Sequence, residues 1–182
     1  MLELSEQNVT AYLRQRGVAS DQTLLVQSLT GGIANIVLKV FDPGAGEKVG
    51  TDTRSPAQIK RGIADTRMNQ GSCLVLKQPL PRFKSAAEWL VDIDRVPVER
   101  DCMELLGRIL PAGSVPEVLW FDADNYILAI SCAPTDSLIW KKHLLSGRFS
   151  ADAAQNAGML LGIMHTATKG DAAIRARYGA EK

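Results

Sequence analysis

The chain has 182 residues, which is enough for one ordinary domain or two small lobes. Its hydrophobic fraction of 46% and its charged fraction of 23% are typical of globular proteins and exclude disordered and fibrous classes. Because 21 basic and 20 acidic residues leave a net charge of +1, we expect neither a nucleic acid nor a membrane as a partner.

The lack of a recognisable secretory signal or membrane span, together with the cysteine usage, predicts a cytoplasmic protein. The acidic N-terminus lacks the basic-then-apolar order of a secretory signal, and no stretch approaches the roughly 18 apolar residues of a membrane span. Cys73, Cys102 and Cys132 stand alone in apolar runs, so we expect reduced, buried core residues. With only two histidines and no Cys-x-x-Cys pair, the sequence predicts no zinc site.

The first part of the chain predicts a helix and then a hairpin. Apolar residues recur at helical spacing over 5–17. Two strands follow, at 24–29 and 33–41, and the second alternates with the period of two that is typical of a half-buried strand. The pair Gly31-Gly32 between them predicts a tight turn.

Residues 42–72 interrupt this pattern. The segment contains five glycines, two prolines and nine charged residues, and it has no sustained apolar periodicity. A structureless span of this length inside a compact domain is either an insertion or a mobile functional loop. We interpret it as a solvated, flexible insertion between two paired strands.

The rest of the chain predicts three strands, one main helix and two closing helices. The strands lie at 73–78, 115–121 and 126–132. The main helix runs from Val96 to the stop at Pro111, and a shorter helical pattern covers 82–91. The closing helices lie at 137–145 and 150–168. The buried face of the last helix is expected to consist of Ala153, Ala157, Leu160, Leu161 and Met164. This order predicts an α+β fold with a five-stranded antiparallel sheet and one main helix.

Three features occur in the order that adenine-nucleotide kinases require. A glycine turn lets backbone N–H groups approach phosphate oxygens, a strand lysine (Lys77) supplies a positive charge, and a helix glutamate (Glu99) holds that lysine. Each feature has a plainer alternative: a simple hairpin turn, an edge-strand lysine that reaches into solvent, and a solvated helix charge. Other acidic residues compete with Glu99 as the partner of Lys77: Glu88, Asp92, Asp94, Asp101 and Glu104.

Five short motifs together resemble the aminoglycoside phosphotransferase-like kinases, a superfamily of small-molecule kinases related to protein kinases. They are Leu-Thr-Gly-Gly-Ile-Ala-Asn at 29–35, Val-Leu-Lys-Gln at 75–78, Val-Glu-Arg at 98–100, Val-Pro-Glu-Val at 115–118 and Leu-Gly-Ile-Met-His at 161–165. The Leu-Lys-Gln strand before a proline-rich turn is most similar to the methylthioribose kinase branch. The resemblance implies a protein-kinase-like N-lobe over 1–132, then a hinge and the first helices of a truncated C-lobe over 133–182.

The resemblance also implies roles for single residues in binding ATP. Lys77 would contact the phosphates and Glu99 would be its helix partner. The loop over the ATP phosphates would contain Gly31, Gly32 and Asn35, and the backbone that meets adenine would be that of Ile130, Ser131 and Cys132.

The catalytic part of the superfamily pattern is not found in this sequence. Relatives carry a His-Gly-Asp loop with a downstream Asn and an acidic ligand for Mg²⁺, and no His-Gly-Asp occurs here. We therefore expect the chain to bind ATP but to be inactive alone, with the Mg²⁺ ligands and the pocket for a small-molecule acceptor lying outside it. The alternative is a non-catalytic nucleotide-binding or protein-interaction module, whose helical face at Leu160, Leu161 and Met164 would mediate self-association or bind a separate C-lobe.

Overall fold

The structure is a computed structural model that describes residues 1–21, 23–29, 34–44, 67–69, 71–80, 95–134 and 136–179. The described elements are, in chain order, α1 (Val9–Gln15), β1 (Leu25–Ser28), β2 (Asn35–Phe41), β3 (Cys73–Pro79), α2 (Arg95–Ile109), β4 (Val118–Asp122), β5 (Ile127–Ser131), α3 (Trp140–Leu145), α4 (Ala151–Thr168) and α5 (Ala172–Tyr178). The fold is α+β, as the sequence predicts. No helix within these ranges is long and apolar enough to cross a membrane.

The five strands form one antiparallel sheet in the order β1-β2-β3-β5-β4. Strand β3 is at the centre, where Leu76 lies opposite Leu38 of β2 on one side and Ala129 of β5 on the other. The interpretation of β3 as an edge strand, with a lysine that reaches into solvent, is therefore wrong.

The two faces of the sheet differ in burial because side chains alternate along each strand. One face, the reverse face, is buried against α1; its residues include Leu38, Val40, Leu74, Leu76, Ile127 and Ala129. The other, the lysine face, carries Cys73, Val75 and Lys77 of β3 together with the residues opposite them, Val37, Lys39, Phe41, Leu128 and Ile130. All of these except buried Leu128 are half-buried, so the lysine face is the one that solvent can reach.

The residues on either side of the predicted insertion are joined at its base. Phe41 lies opposite Cys73 in the β2–β3 pair, and two backbone hydrogen bonds continue the contact, from the Asp42 N–H to the Ser72 carbonyl (3.0 Å) and from the Gly71 N–H to the Asp42 carbonyl (2.7 Å). Strands β2 and β3 therefore pair directly although about 30 residues separate them. Residues 45–66, with the flexibility expected of them, and the helical pattern at 82–91 lie outside the described residues.

The cysteines differ from the sequence prediction. Cys73 and Cys132 form a disulfide, with their Cα atoms 5.7 Å apart, and all three cysteines are half-buried instead of belonging to the core. The reason is the strand register: Leu74 lies opposite Ser131, so the next pair outward is Cys73 opposite Cys132, within the usual Cα separation for a disulfide. Their separation of 59 residues hides this in the sequence. The expectation of reduced cysteines is therefore wrong for this pair.

The chain forms two compact units, one of Met1–Arg100 with Val118–Thr135 and one of Asp101–Glu117 with Asp136–Lys182. In the second unit, Ser150 and Asp171 cap α4 and α5 through their side chains, and Arg177 of α5 forms an ion pair with Asp101. Helix α5 was not predicted, because the polar residues after 168 show no helical pattern in the sequence. The stripe predicted as the buried face of α4 is only partly covered: Ala153, Ala157, Leu160 and Met164 are half-buried, Leu161 is exposed, and no residue of the helix is fully buried.

A buried glutamine attaches the N-terminus to the sheet. Gln78 of β3 is 1% exposed and points to the reverse face, where its Oε1 accepts from the Leu4 N–H (2.8 Å). Its Nε2 donates to the carbonyls of Leu2 (2.5 Å) and of Asn125, in the β4–β5 turn (2.9 Å). One amide therefore holds three backbone groups from two distant segments, and it pairs the Leu4 N–H, which is buried.

A second polar cluster joins α1 to the end of β4. The buried Asp122 carboxylate accepts a hydrogen bond from the Tyr12 hydroxyl (2.8 Å) and forms an ion pair with Arg16 (3.1 Å). The Arg16 guanidinium also lies 4.5 Å from the centre of the Trp120 ring. Burial acts to raise the pKa of Asp122, but hydrogen bonds from Asn125 and Tyr12 and the charge of Arg16 outweigh it, so the pKa lies below its ordinary value.

Replacing the buried glutamine should loosen the N-terminus. We expect Gln78→Leu to lower the free energy of unfolding by about 2–3 kcal/mol, because it leaves the buried Leu4 N–H without this partner and removes two further hydrogen bonds, to the carbonyls of Leu2 and Asn125. Urea unfolding followed by circular dichroism measures the change. The control Gln27→Leu, on exposed β1, should change stability by less than about 0.5 kcal/mol. Equal losses in both variants would contradict the role of Gln78.

The Asp122 cluster should make stability depend on pH. Because the folded pKa of Asp122 is lowered, its contribution is fully present above the unfolded value of about 3.9 and is lost as the pH falls towards the folded value. We expect Asp122→Asn to cost about 2 kcal/mol at pH 7 and less below pH 4. Urea unfolding between pH 3 and pH 7 tests this. The exposed neighbour Asp124, changed to Asn, should leave the profile as in the wild type.

Candidate functional site

The site begins with a charged residue inside an otherwise apolar strand. Lys77 lies on the lysine face of β3, between Val37 of β2 and Leu128 of β5 in register. Its neighbours along the strand, Leu76 and Gln78, are buried on the reverse face. Because side chains alternate between the two faces of a strand, Lys77 lies on the opposite side of the sheet from these buried neighbours.

The structure brings Lys77 and Glu99 together. The Lys77 Nζ donates a hydrogen bond to the Glu99 Oε1, and the two side chains form an ion pair between β3 and the first turns of α2. Their side chains are 22% and 30% exposed, so water still reaches both charges. Among the other candidate partners, Asp101 pairs with Arg177, Glu104 is exposed, and Glu88, Asp92 and Asp94 lie outside the described residues. The structure therefore identifies Glu99 as the partner of Lys77, which the sequence alone left open.

Half-buried apolar side chains surround this pair on the lysine face. Val37 is opposite Lys77, and Val75 with Ile130 forms the next cross-strand pair along the sheet. Phe121 of β4 lies opposite Leu128, and the Arg100 guanidinium lies 5.1 Å from the centre of its ring. The face therefore combines a positive charge held in place with apolar surface that is incompletely covered, a combination that suits a ligand with an anionic and an apolar end.

The predicted phosphate loop is only partly within the described residues. Gly31 and Gly32 lie outside them. Asn35 is the first residue of β2 and lies opposite Pro79, two residues beyond Lys77 on the same face.

The three residues predicted to meet adenine occupy different positions at the end of β5. Ile130 pairs with Val75 on one side and Val118 on the other, which places it inside the sheet. Ser131 is the last residue of the strand, and Cys132 follows it and is bonded to Cys73. Sequence analysis missed this bond; the only available signal was that both cysteines fall at predicted strand ends.

The titratable residues of the site leave no clear metal centre. Among the residues that the structure describes, no three His, Cys, Asp or Glu side chains are grouped closely enough to hold a metal ion. Glu99 itself is engaged by Lys77. The charged group that the site presents is thus the ammonium group of Lys77, held by Glu99.

Comparison of the chain with protein-family models finds no match, and comparison with curated proteins finds none either. A function for this site therefore has to be argued from its own geometry and from the motifs in the sequence.

Proposed function

We propose that this chain binds ATP on the lysine face, with the phosphates at Lys77, as the nucleotide-binding part of a small-molecule phosphotransferase. The observation that carries the proposal is the ion pair between Lys77 and Glu99. A lysine on a central strand held by a glutamate from the next helix is the arrangement that kinases use to contact the α- and β-phosphates.

The exposure of the pair supports a binding role more than a stabilising one. Ion pairs that water reaches contribute about 0–1 kcal/mol to stability, because water competes for both charges. A hydrogen bond from an ammonium group to phosphate is stronger, at about 1.5–3 kcal/mol. Glu99 holds the ammonium group of Lys77 in one place before the ligand arrives, which reduces the ordering cost of binding.

The apolar part of the lysine face suits the nucleoside. Val37, Val75 and Ile130 are half-buried there, so a planar base would cover apolar surface that the protein leaves open. Because Ile130 is paired on both sides, we assign the backbone contact with adenine to Ser131 and Cys132 at the end of β5. Mg²⁺ would accompany the phosphates and neutralise their charge, and the acceptor would be a small molecule.

A second candidate function is protein interaction, and a specific observation favours it. Large apolar side chains of the second unit are exposed, at 79% for Leu145 and 82% for Phe149, and others share this property: Leu138, Ile139, Trp140, Met159 and Leu161. Exposed apolar residues in such number are typical of surfaces that bind a partner.

Binding of Mg-ATP tests the first proposal. We expect Lys77→Ala to weaken binding at least about tenfold, because a charge-assisted hydrogen bond is lost, and Glu99→Gln to weaken it less, because the ammonium group stays but is no longer held. Isothermal titration calorimetry gives the dissociation constants, and circular dichroism verifies that each variant is folded.

The matched control is Lys39→Ala, which removes the same charge from the same sheet face one strand away. It should bind Mg-ATP within about twofold of the wild type, since a lost surface charge alone changes little. Equal binding by the wild type and Lys77→Ala, equal losses at Lys39 and Lys77, or no binding by the wild type would each contradict the proposed site.

Self-association tests the second candidate. We expect the sedimentation coefficient to rise with protein concentration, and Leu145→Asp with Phe149→Asp to abolish the rise by placing charge on the exposed surface. Leu25→Asp, at an exposed leucine of β1, is the control and should behave as the wild type. A wild type that sediments as a monomer at every concentration would rule out self-association.

A further inference from the structure

The disulfide occupies one end of the lysine face. Cys73 is the first residue of β3 and Cys132 follows the last residue of β5, so the bond joins two neighbouring strands directly across the sheet. Cys73 shares its face with Lys77, four residues further along the same strand. At about 3.3 Å per residue, the bond lies about 13 Å from the lysine.

The bond therefore connects the two parts of the proposed nucleotide site. Strand β3 carries Lys77, to which the phosphates are assigned, and Ser131 with Cys132 forms the segment to which adenine is assigned. The pair Leu74 and Ser131 is the last one in the β3–β5 register, and the disulfide joins the two strands one residue further out. The bond therefore adds a covalent link at the point where the β3–β5 pairing ends.

The surroundings of the bond make it reachable for a reductant. Both cysteines are half-buried, unlike a disulfide enclosed in a core. Exposed disulfides are the ones that exchange readily with thiols, since the attacking thiolate must approach along the sulfur–sulfur axis. Cys73 also adjoins the base of the insertion, where Ser72 and Asp42 are hydrogen bonded.

We propose that the Cys73–Cys132 disulfide is a thiol-exchange site that controls nucleotide affinity, an inference that rests on the proposed function. A thiolate of a dithiol reductant attacks one sulfur, the sulfur–sulfur bond breaks, and the released cysteine thiolate takes up a proton. The second thiol of the reductant then displaces the other cysteine from the mixed disulfide. The net result is two protein thiols and one oxidised dithiol, with two electrons and two protons transferred.

We expect the oxidised chain to bind nucleotide more tightly than the reduced chain, because its adenine segment is already ordered. In the oxidised chain the adenine segment is held against β3, so binding has less conformational freedom to remove. In the reduced chain Cys132 is no longer bonded to β3, and nucleotide binding must order this part of the adenine segment again. We expect the dissociation constant for Mg-ATP to rise at least about fivefold on reduction, the lower end of typical coupling between two sites.

The experiment compares the oxidised chain, the chain reduced with dithiothreitol, and the double variant Cys73→Ser with Cys132→Ser. Calorimetry gives the Mg-ATP affinity of each, circular dichroism verifies folding, and thiol titration without denaturant counts reactive cysteines. The control is Cys102→Ser, which leaves the bridge in place and should respond to reduction as the wild type does.

The expected result is two additional reactive thiols on reduction of the folded chain, with weaker binding both in that form and in the double serine variant. If the disulfide is reduced only after the chain unfolds, the proposed thiol exchange is overturned whatever ligand the chain binds. Equal affinity of the oxidised and reduced chains for Mg-ATP would also overturn it. Absence of Mg-ATP binding in the oxidised and the reduced wild type would overturn the proposed function, and the control of affinity with it.

Discussion

The alternation of side chains along β3 is the constraint on which the rest of the structure depends. This strand is paired on both sides, so its neighbouring residues Lys77 and Gln78 must point to opposite faces of the sheet. Gln78 is buried and holds the N-terminal segment and the β4–β5 turn, whereas Lys77 reaches Glu99 on the half-exposed face. A shift of one residue in register would exchange the two and place an ammonium group in the core, at a cost of several kcal/mol.

The two faces of the sheet therefore differ in how they treat polar groups. The reverse face carries a closed apolar core and polar groups whose hydrogen bonds are internal, including the buried carboxylate of Asp122 with Tyr12 and Arg16. The lysine face keeps the charges of Lys77 and Glu99 in contact with water, where an ion pair contributes little to folding but fixes the position of the ammonium group. This division explains how a charged residue can be tolerated on a central strand.

Much of the fold could be predicted from the sequence because its signals are local. The period of two in β2 and β3 and the helical spacing in α1 and α2 depend only on neighbours in the chain, and these elements lie where the patterns indicate. The predicted face of α4 is half-buried at four of its five residues but nowhere fully buried, because a helical stripe shows which residues could be buried together but not how completely they are covered. The short helix α5 was missed because seven residues with one capping aspartate make a weak pattern.

For the site, the sequence by itself determined that a lysine lies in an apolar strand and that acidic residues follow on the next helix. Only the tertiary structure decided that Glu99 is the partner, that β3 is central, and that Cys73 meets Cys132. The physical reason is the same in each case. Periodicity determines the face on which a side chain lies, whereas a contact between distant residues depends on strand order and register, which arise from pairing of the whole sheet.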